Sequence, residues 1–461
     1  MRLGRIRRAA AAALMLASLG PAALAGGTAR DRQDADGLHR VGHIVVIYLE
    51  NRSFDSLFGL YPGATGIADA LAEAPKQVDR AGQPYASLPQ PIDTTARPPR
   101  PDPRFPADLP NRPFAMERYV SLGAKTGDMV HRYYQNIAQI DGGRNDMFVA
   151  WSDAGGLPMG YYDGAQTALW HWARRYTLAD HFFMGAFGGS FLNHLMMVCA
   201  CVPRYPDAPA ALRARLDSTG RLVKDGAVTP DGFAINTIQP AFMPHSPRIT
   251  DPSRLLPPQD QPTIGERLSA KGISWAWYAD GFAEAEAGHA PPLFQYHHQP
   301  FVYFRAYAPG TRARAGHLRD GGRLLADIDA GTLPRVTFYK PGGEDDEHPG
   351  YASIAEGDRH TAELLRHLEH GPQWHDMMVV VTYDENGGAY DHVAPPKGDR
   401  WGPGSRVPAV VISPFARRGY VDHTPYTTLS ILKLIERRFG LAPLTKRDAE
   451  ADDLGKALVF Q

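Results

Sequence analysis

The sequence predicts an α/β protein with a mostly parallel sheet flanked by helices. Three observations carry this. Short apolar runs rich in β-branched residues recur at His43–Leu49, Ile273–Tyr278, Val336–Tyr339, Met377–Tyr383 and Val407–Ile412. Runs of that length suit strands buried on both faces. Helical patterns lie between or after them, at Ala362–Leu368 and at Thr427–Phe439, where Gly440 supplies a stop. Strands alternating with helices pack as an α/β sandwich. Finally, 43% hydrophobic and 21% charged residues are enough for a core, while 46 Gly and 40 Pro put much of the chain in loops over it.

Taken in order, the chain begins with Arg2, Arg5, Arg7 and Arg8, then an apolar stretch from Ala9 to Leu19, then Ala23-Leu24-Ala25. That pattern reads as a secretory signal over 1–25 with cleavage after Ala25. Arg7-Arg8 leaves general or twin-arginine export open. Loss of those four arginines takes the net charge from −1 to −5. Export implies a periplasmic or extracellular protein. Residues 26–40 are polar and read as a flexible segment. One domain is expected over 41–445, followed by a tail at 446–461. Two insertions interrupt it, near 60–115 and 203–262. The first includes ten prolines between Gln83 and Pro113 and reads as extended chain over the surface. The second reads as a lid or cap. No repeat is visible.

The balance of 49 basic and 50 acidic residues excludes a nucleic-acid partner bound by bulk basicity. No later segment holds the roughly 18 apolar residues of a membrane span. Cys199 and Cys201 are separated by one residue, so a bridge between them is expected to be unfavourable. They read as two small buried residues rather than metal ligands.

Ligands of an open α/β sheet bind outside the carboxyl ends of its strands. The first strand ends in Glu50-Asn51 and a late one in Asp384-Glu385-Asn386-Gly387-Gly388. Their oxygens would suit a hard divalent cation such as Mg²⁺, Ca²⁺ or Mn²⁺, although loop carboxylates and a Gly-Gly turn give the same pattern. In Gly188-Gly189-Ser190 the serine opens an apolar helix, where free N–H groups and the dipole favour an anion. A nucleophile and an ordinary N-cap both fit there. Asn193 lies one turn on. His131, His297-His298, His348 and His392 could bind phosphate oxygens or protonate a leaving group. In extended chain the adjacent pair could not aim both rings one way.

The segment His43-Ile-Val-Val-Ile-Tyr-Leu-Glu-Asn-Arg-Ser-Phe-Asp55 resembles the opening of the bacterial phosphoesterase family, which contains non-specific phospholipases C and exported acid phosphatases. Later motifs resemble it in order: Asp128-Met-Val-His131, Gly188-Gly-Ser-Phe-Leu-Asn-His194, Phe294-Gln-Tyr-His-His-Gln-Pro300, Glu347-His-Pro-Gly350, Thr382-Tyr-Asp-Glu-Asn-Gly-Gly-Ala-Tyr-Asp-His-Val393 and Gly404-Ser-Arg-Val-Pro408. The resemblance implies an alkaline-phosphatase-like core with one divalent metal ion on Glu50, Asn51, Asp384 and Glu385. It implies Ser190 as nucleophile, His131 and His348 as further catalytic residues, and Asn193, His297 and His298 around the phosphate of a small ester substrate. Phospholipases C of the family usually carry threonine at the nucleophile, followed by Pro-Asn-Arg, and often continue into further β-domains. Here the segment reads Ser190-Phe-Leu-Asn193-His194 and the chain stops at Gln461. The expectation is a metal-dependent acid phosphatase acting on monoesters through a phosphoserine. The alternatives are a phospholipase C, which alone would need membrane-surface contact, and an inactive exported binding protein. Cys201-Val-Pro-Arg204 does not match the sulfatase motif.

Overall fold

The computed structural model describes residues 37–71 and 74–460. The expected signal segment and residues 26–36 lie outside the described residues. Residues 38–40 form a turn with Leu38 buried.

Eight strands form the central sheet: β1 (His43–Leu49), β2 (Thr177–Ala179), β3 (Trp275–Ala279), β4 (Leu318–Asp320), β5 (Val336–Lys340), β6 (Met377–Tyr383), β7 (Ala409–Ile412) and β8 (Tyr420–Asp422). Their order is β4-β3-β5-β1-β6-β7-β2-β8. All neighbours pair parallel except at β7, which runs antiparallel to both β6 and β2. The five expected runs all form strands, and the sheet is mixed only through β7. The three strands not expected, β2, β4 and β8, are three residues each, too short to show a period.

Every residue of β3, β5, β6 and β7 is buried, as the continuous β-branched and aromatic runs require. Flanking helices include α1 (Phe54–Phe58), α2 (Tyr133–Ile140), α3 (Ala168–Arg175), α4 (Ser190–Cys199), α5 (Ile354–His370) and α6 (Thr428–Phe439). Helix α5 starts earlier than the apolar period suggested. Ser353 caps it by accepting from Glu356 N, and its first turns are mostly polar. Helix α6 stops at Gly440, which is left-handed (φ 62°). Helix α4 packs against α6, and α3 against α5. Among the described residues no helix is long and apolar enough to cross a membrane.

The insertions are anchored rather than draped. Leu88, Phe105 and Leu109 of the first are buried, as are Val228, Ile235 and Leu256 of the second. The end of the chain also packs: Leu454, Ala457 and Leu458 are fully buried.

The cysteines correct an expectation. Cys199 and Cys201 form a disulfide with their Cα atoms 5.0 Å apart. Ala200 between them is the left-handed C-cap of α4 (φ 49°), so the chain reverses there and turns both side chains to one side.

Candidate active site

Strands β5, β1 and β6 lie side by side, and their carboxyl ends carry the acidic residues together. Leu49 pairs with Tyr383, so Glu50 and Asp384 leave the sheet at one level. Asp384 N–H donates to Leu49 O at 3.0 Å, and Glu50 N–H to Asp346 O at 2.9 Å. Asn51 is left-handed (φ 62°), which an asparagine tolerates. A Cβ on Gly387 would lie 2.5 Å from Asn51 O, so only glycine lets the two strand-end loops touch.

Asp384 Oδ1 accepts from the N–H groups of Asn51 (3.2 Å) and Glu385 (2.8 Å), while its Oδ2 is buried without a hydrogen-bond partner. Glu385 Oε2 accepts from Gly387 N–H at 2.6 Å, and its Oε1 is likewise unpartnered. Glu50 Oε1 meets Lys340 Nζ at 2.5 Å and His298 Nε2 at 3.1 Å. Burial acts to raise the Glu50 carboxyl, but Lys340 and His298 hold it well below the usual range. Asp384 and Asp346 are pushed well up by burial and then by the Glu50 charge, and Glu385 by burial and then by Asp384.

Ser190 opens α4 after the Gly189 cap. Its Oγ donates to Glu50 Oε2 at 2.9 Å and lies 3.2 Å from Asn51 Oδ1. The glycines before it are needed for contact: a Cβ on Gly188 (φ 94°) would meet the Tyr133 backbone at 2.7 Å. The serine is therefore no ordinary N-cap; its hydroxyl turns toward the carboxylates rather than back to its own helix.

His131, His297 and His348 line the same cavity as Ser190 and Glu50, of about 630 Å³. The rings of His131 and His348 are 5.4 Å apart. Each is held by its Nδ1, 2.6 Å from Met129 O and 2.6 Å from Pro349 O respectively. That contact favours an Nδ1–H tautomer and leaves Nε2 for chemistry. His131 Nε2 lies 3.4 Å from Asn51 Nδ2. Burial lowers the His348 imidazole, and also His297 and His298, the last to about 4. His297 and His298 sit in a 3₁₀ turn, which sets their rings at 87°. His297 faces the cavity, and His298 faces Glu50.

Asn193 lies elsewhere. It is fully buried, and its Nδ2 donates to the carbonyls of Ala186 (3.2 Å) and Gly189 (3.3 Å), while Oδ1 accepts from Ala186 N at 2.9 Å. It fastens the glycine loop that presents Ser190. His392 bonds Asp55 (2.7 Å) instead of lining the cavity.

Three residues near the strand ends carried no signal. Lys340 ends β5 and is fully buried, although a lysine after an apolar run reads as solvated. Asp346 gave only a loop acid. His194 lies within α4, 3.7 Å from Asp384 Oδ2, and reads as a core histidine. The insertions supply the cavity rim: Thr94, Thr95 and Arg97 from the first, Asn236 and Thr237 from the second.

The residues present fit a divalent cation. Ligand atoms of Glu50, His194 and Asp384 lie within 4.8 Å of one another, and so do those of Glu50, His297 and His298. The unpartnered oxygens of Asp384 and Glu385 are the independent sign, because buried carboxylate oxygens otherwise find donors.

A serine against buried carboxylates at the carboxyl edge of an α/β sheet is an arrangement suited to ester cleavage. The sequence profile of the phosphoesterase family matches residues 41–442, and the chain belongs to that family. The non-hemolytic phospholipase C of Pseudomonas aeruginosa is 25% identical over 451 residues, covering 88% of this chain and 54% of that protein. The chain thus spans about half the length of that relative. Phospholipase C A of Mycobacterium tuberculosis is 26% identical over 465 residues, covering 91% of this chain and 77% of that protein. A solved protein of the alkaline phosphatase superfamily from Vibrio parahaemolyticus matches over 71% of this chain and 68% of its own, with 9% identity and a TM-score of 0.36.

Proposed function

We propose that the chain is a metal-dependent phosphatase that hydrolyses phosphate monoesters through a phosphoserine at Ser190. The observation that carries the reading is the Ser190 hydroxyl at the first turn of α4, 2.9 Å from Glu50 Oε2 on the cavity floor. Glu50 accepts the hydroxyl proton as Oγ attacks phosphorus in line. The free N–H groups at the start of α4 face the charge that spreads over the equatorial oxygens, and His297, which lines the same cavity, adds a donor. His131 and His348, held by their Nδ1 atoms, protonate the leaving alcohol through Nε2 and then activate water against the phosphoserine. Glu50, Asn51, Asp384 and Glu385 would hold the ion, a hard cation such as Mg²⁺, Ca²⁺ or Mn²⁺, which when bound supplies Lewis-acid polarisation and offsets negative charge. Action below neutral pH would suit histidines that must carry a proton to donate one. Export to the periplasm or the medium belongs to the proposal. The pattern over residues 1–25 supports it, as does the Cys199–Cys201 disulfide.

A second reading has its own support. The relatives above are phospholipases C, so a phosphodiester of a lipid head group is the competing substrate. The segment Ser190-Phe-Leu-Asn193-His194 favours the monoester. Turnover of a soluble aryl phosphate and of a phosphocholine diester, measured side by side from acid to neutral pH, separates them. Preference for the diester overturns the monoester reading. Ser190→Ala is expected to cut kcat at least about a thousandfold while inorganic phosphate still binds. Substantial turnover in that variant would exclude the covalent step.

A further inference from the structure

Two strands beyond the active site, the same edge of the sheet carries another cluster. Asp180 follows β2, and His423 follows β8. Ala179 pairs with Asp422, which sets those two residues side by side. His181 Nδ1 lies 2.8 Å from Asp180 Oδ1, and His423 Nδ1 lies 2.8 Å from Asp180 Oδ2. One ligand atom from each of the three residues falls within 4.8 Å of the others.

The carboxylate itself is what needs explaining. Asp180 is fully buried, yet no lysine or arginine hydrogen-bonds its carboxylate among the described residues. Arg406 is adjacent, but its guanidinium donates to the main-chain oxygen of Asp180 (2.9 Å) and to the carboxylates of Asp55 (3.0 Å) and Asp391 (2.8 Å). Thr65 N–H, at 2.7 Å from Oδ2, is the remaining donor. A buried carboxylate held by two imidazoles and one main-chain N–H has no lysine or arginine bonded to it as counter-charge. The side chain of His423 is 57% exposed and that of His181 22%, so the cluster is open to ions from solvent.

We propose that Asp180, His181 and His423 form a second cation site, for a borderline ion of the Zn²⁺ type. Two imidazoles and one carboxylate are the donor set that such an ion prefers, with water completing the shell. The oxygen-rich cluster at Asp384 and Glu385 favours harder ions instead. Two strand spacings, roughly 10 Å, separate the ends of β2 and β6. The second ion therefore acts as a fastener that ties β8 and the Thr65 loop to the end of β2, and not as a reagent.

The test uses the full chain, stripped with chelator and titrated with ZnCl₂, with zinc counted after gel filtration. Asp384→Asn serves as the parent so that the catalytic cluster contributes equally in every comparison. It is expected to bind one zinc more per chain than Asp384→Asn/His423→Ala or Asp384→Asn/His181→Gln, and only the parent should gain Tm from that ion. Equal zinc uptake and an equal Tm response in all three chains would overturn the proposal and leave a plain Asp–His hydrogen-bond pair. His423→Ala alone should keep its turnover of a soluble aryl phosphate, which reports an intact fold.

Discussion

Lys340 Nζ lies 2.5 Å from Glu50 Oε1, and the two side chains are 0% and 1% exposed. The same ammonium donates to Tyr48 O at 3.0 Å, so it joins the end of β5 to the end of β1. Glu50 in turn accepts from Ser190. The path from the lysine to the Ser190 hydroxyl is thus two contacts long and runs through buried side chains.

Removing the lysine should therefore be costly. Lys340→Met leaves Glu50 buried beside Asp346 and Asp384 without its strongest counter-charge. The metal-free variant is expected to lose about 3 kcal/mol in urea denaturation, as buried pairs broken on one side do. Stability within error of the parent would show that the pair contributes little.

Asn193 separates a holding role from a binding one. Its amide satisfies carbonyls of the glycine loop, so Asn193→Ala should lower stability by about 2 kcal/mol, through the groups left unsatisfied. A phosphate-contacting residue would instead raise KM with an unchanged melting temperature, and that result would refute the holding role.

Asp384 bears on the ion. Asp384→Asn keeps an acceptor but removes a charge, and Mn²⁺ affinity by calorimetry should fall about tenfold or more. Dialysis of the parent against chelator should abolish turnover, and added Mn²⁺ or Mg²⁺ should restore it. Unchanged affinity in the variant would remove Asp384 from the ligand set.

Glu436 on α6 gives a pH signature remote from the site. Burial, and then the Asp448 carboxyl, push it up to about 9 from an ordinary 4.5. Between those values the folded chain holds a proton that the unfolded chain has lost, so stability declines as pH rises from 4.5 to 9. Glu436→Gln should melt higher than the parent at pH 9, with the gap closing toward pH 4.5. A gap that is constant with pH would mean that Glu436 does not hold the proton.

The parts read correctly from the chain are those with local causes. The apolar runs of β1, β5 and β6 are buried on both faces, and that alone names them. That Glu50, Asn51, Asp384 and Glu385 meet at one edge of the sheet was legible because each pair directly follows a strand run. Lys340 was not, since its burial depends on Glu50, 290 residues earlier in the sequence. His194 was hidden for the opposite reason: on an apolar helix, a histidine facing a carboxylate looks like one facing leucines. Asn193 was found, but its spacing from Ser190 did not say which way the amide turns. The disulfide was misread because nothing in Cys-Ala-Cys announces a left-handed alanine.

Floor and rim come from different parts of the chain. Ser190 and the acids stand on strand ends and one helix start, while Thr94, Arg97 and Thr237 hang on insertions with buried anchors of their own. Such loops tolerate changes in length at small entropic cost. On the proposed reading, selectivity for the alcohol portion of a substrate would drift by editing the rim, with Ser190 and the acids left untouched. Grafting the segment of a relative that matches residues 83–113 onto this floor would change the shape of the rim while leaving the strand-end residues in place.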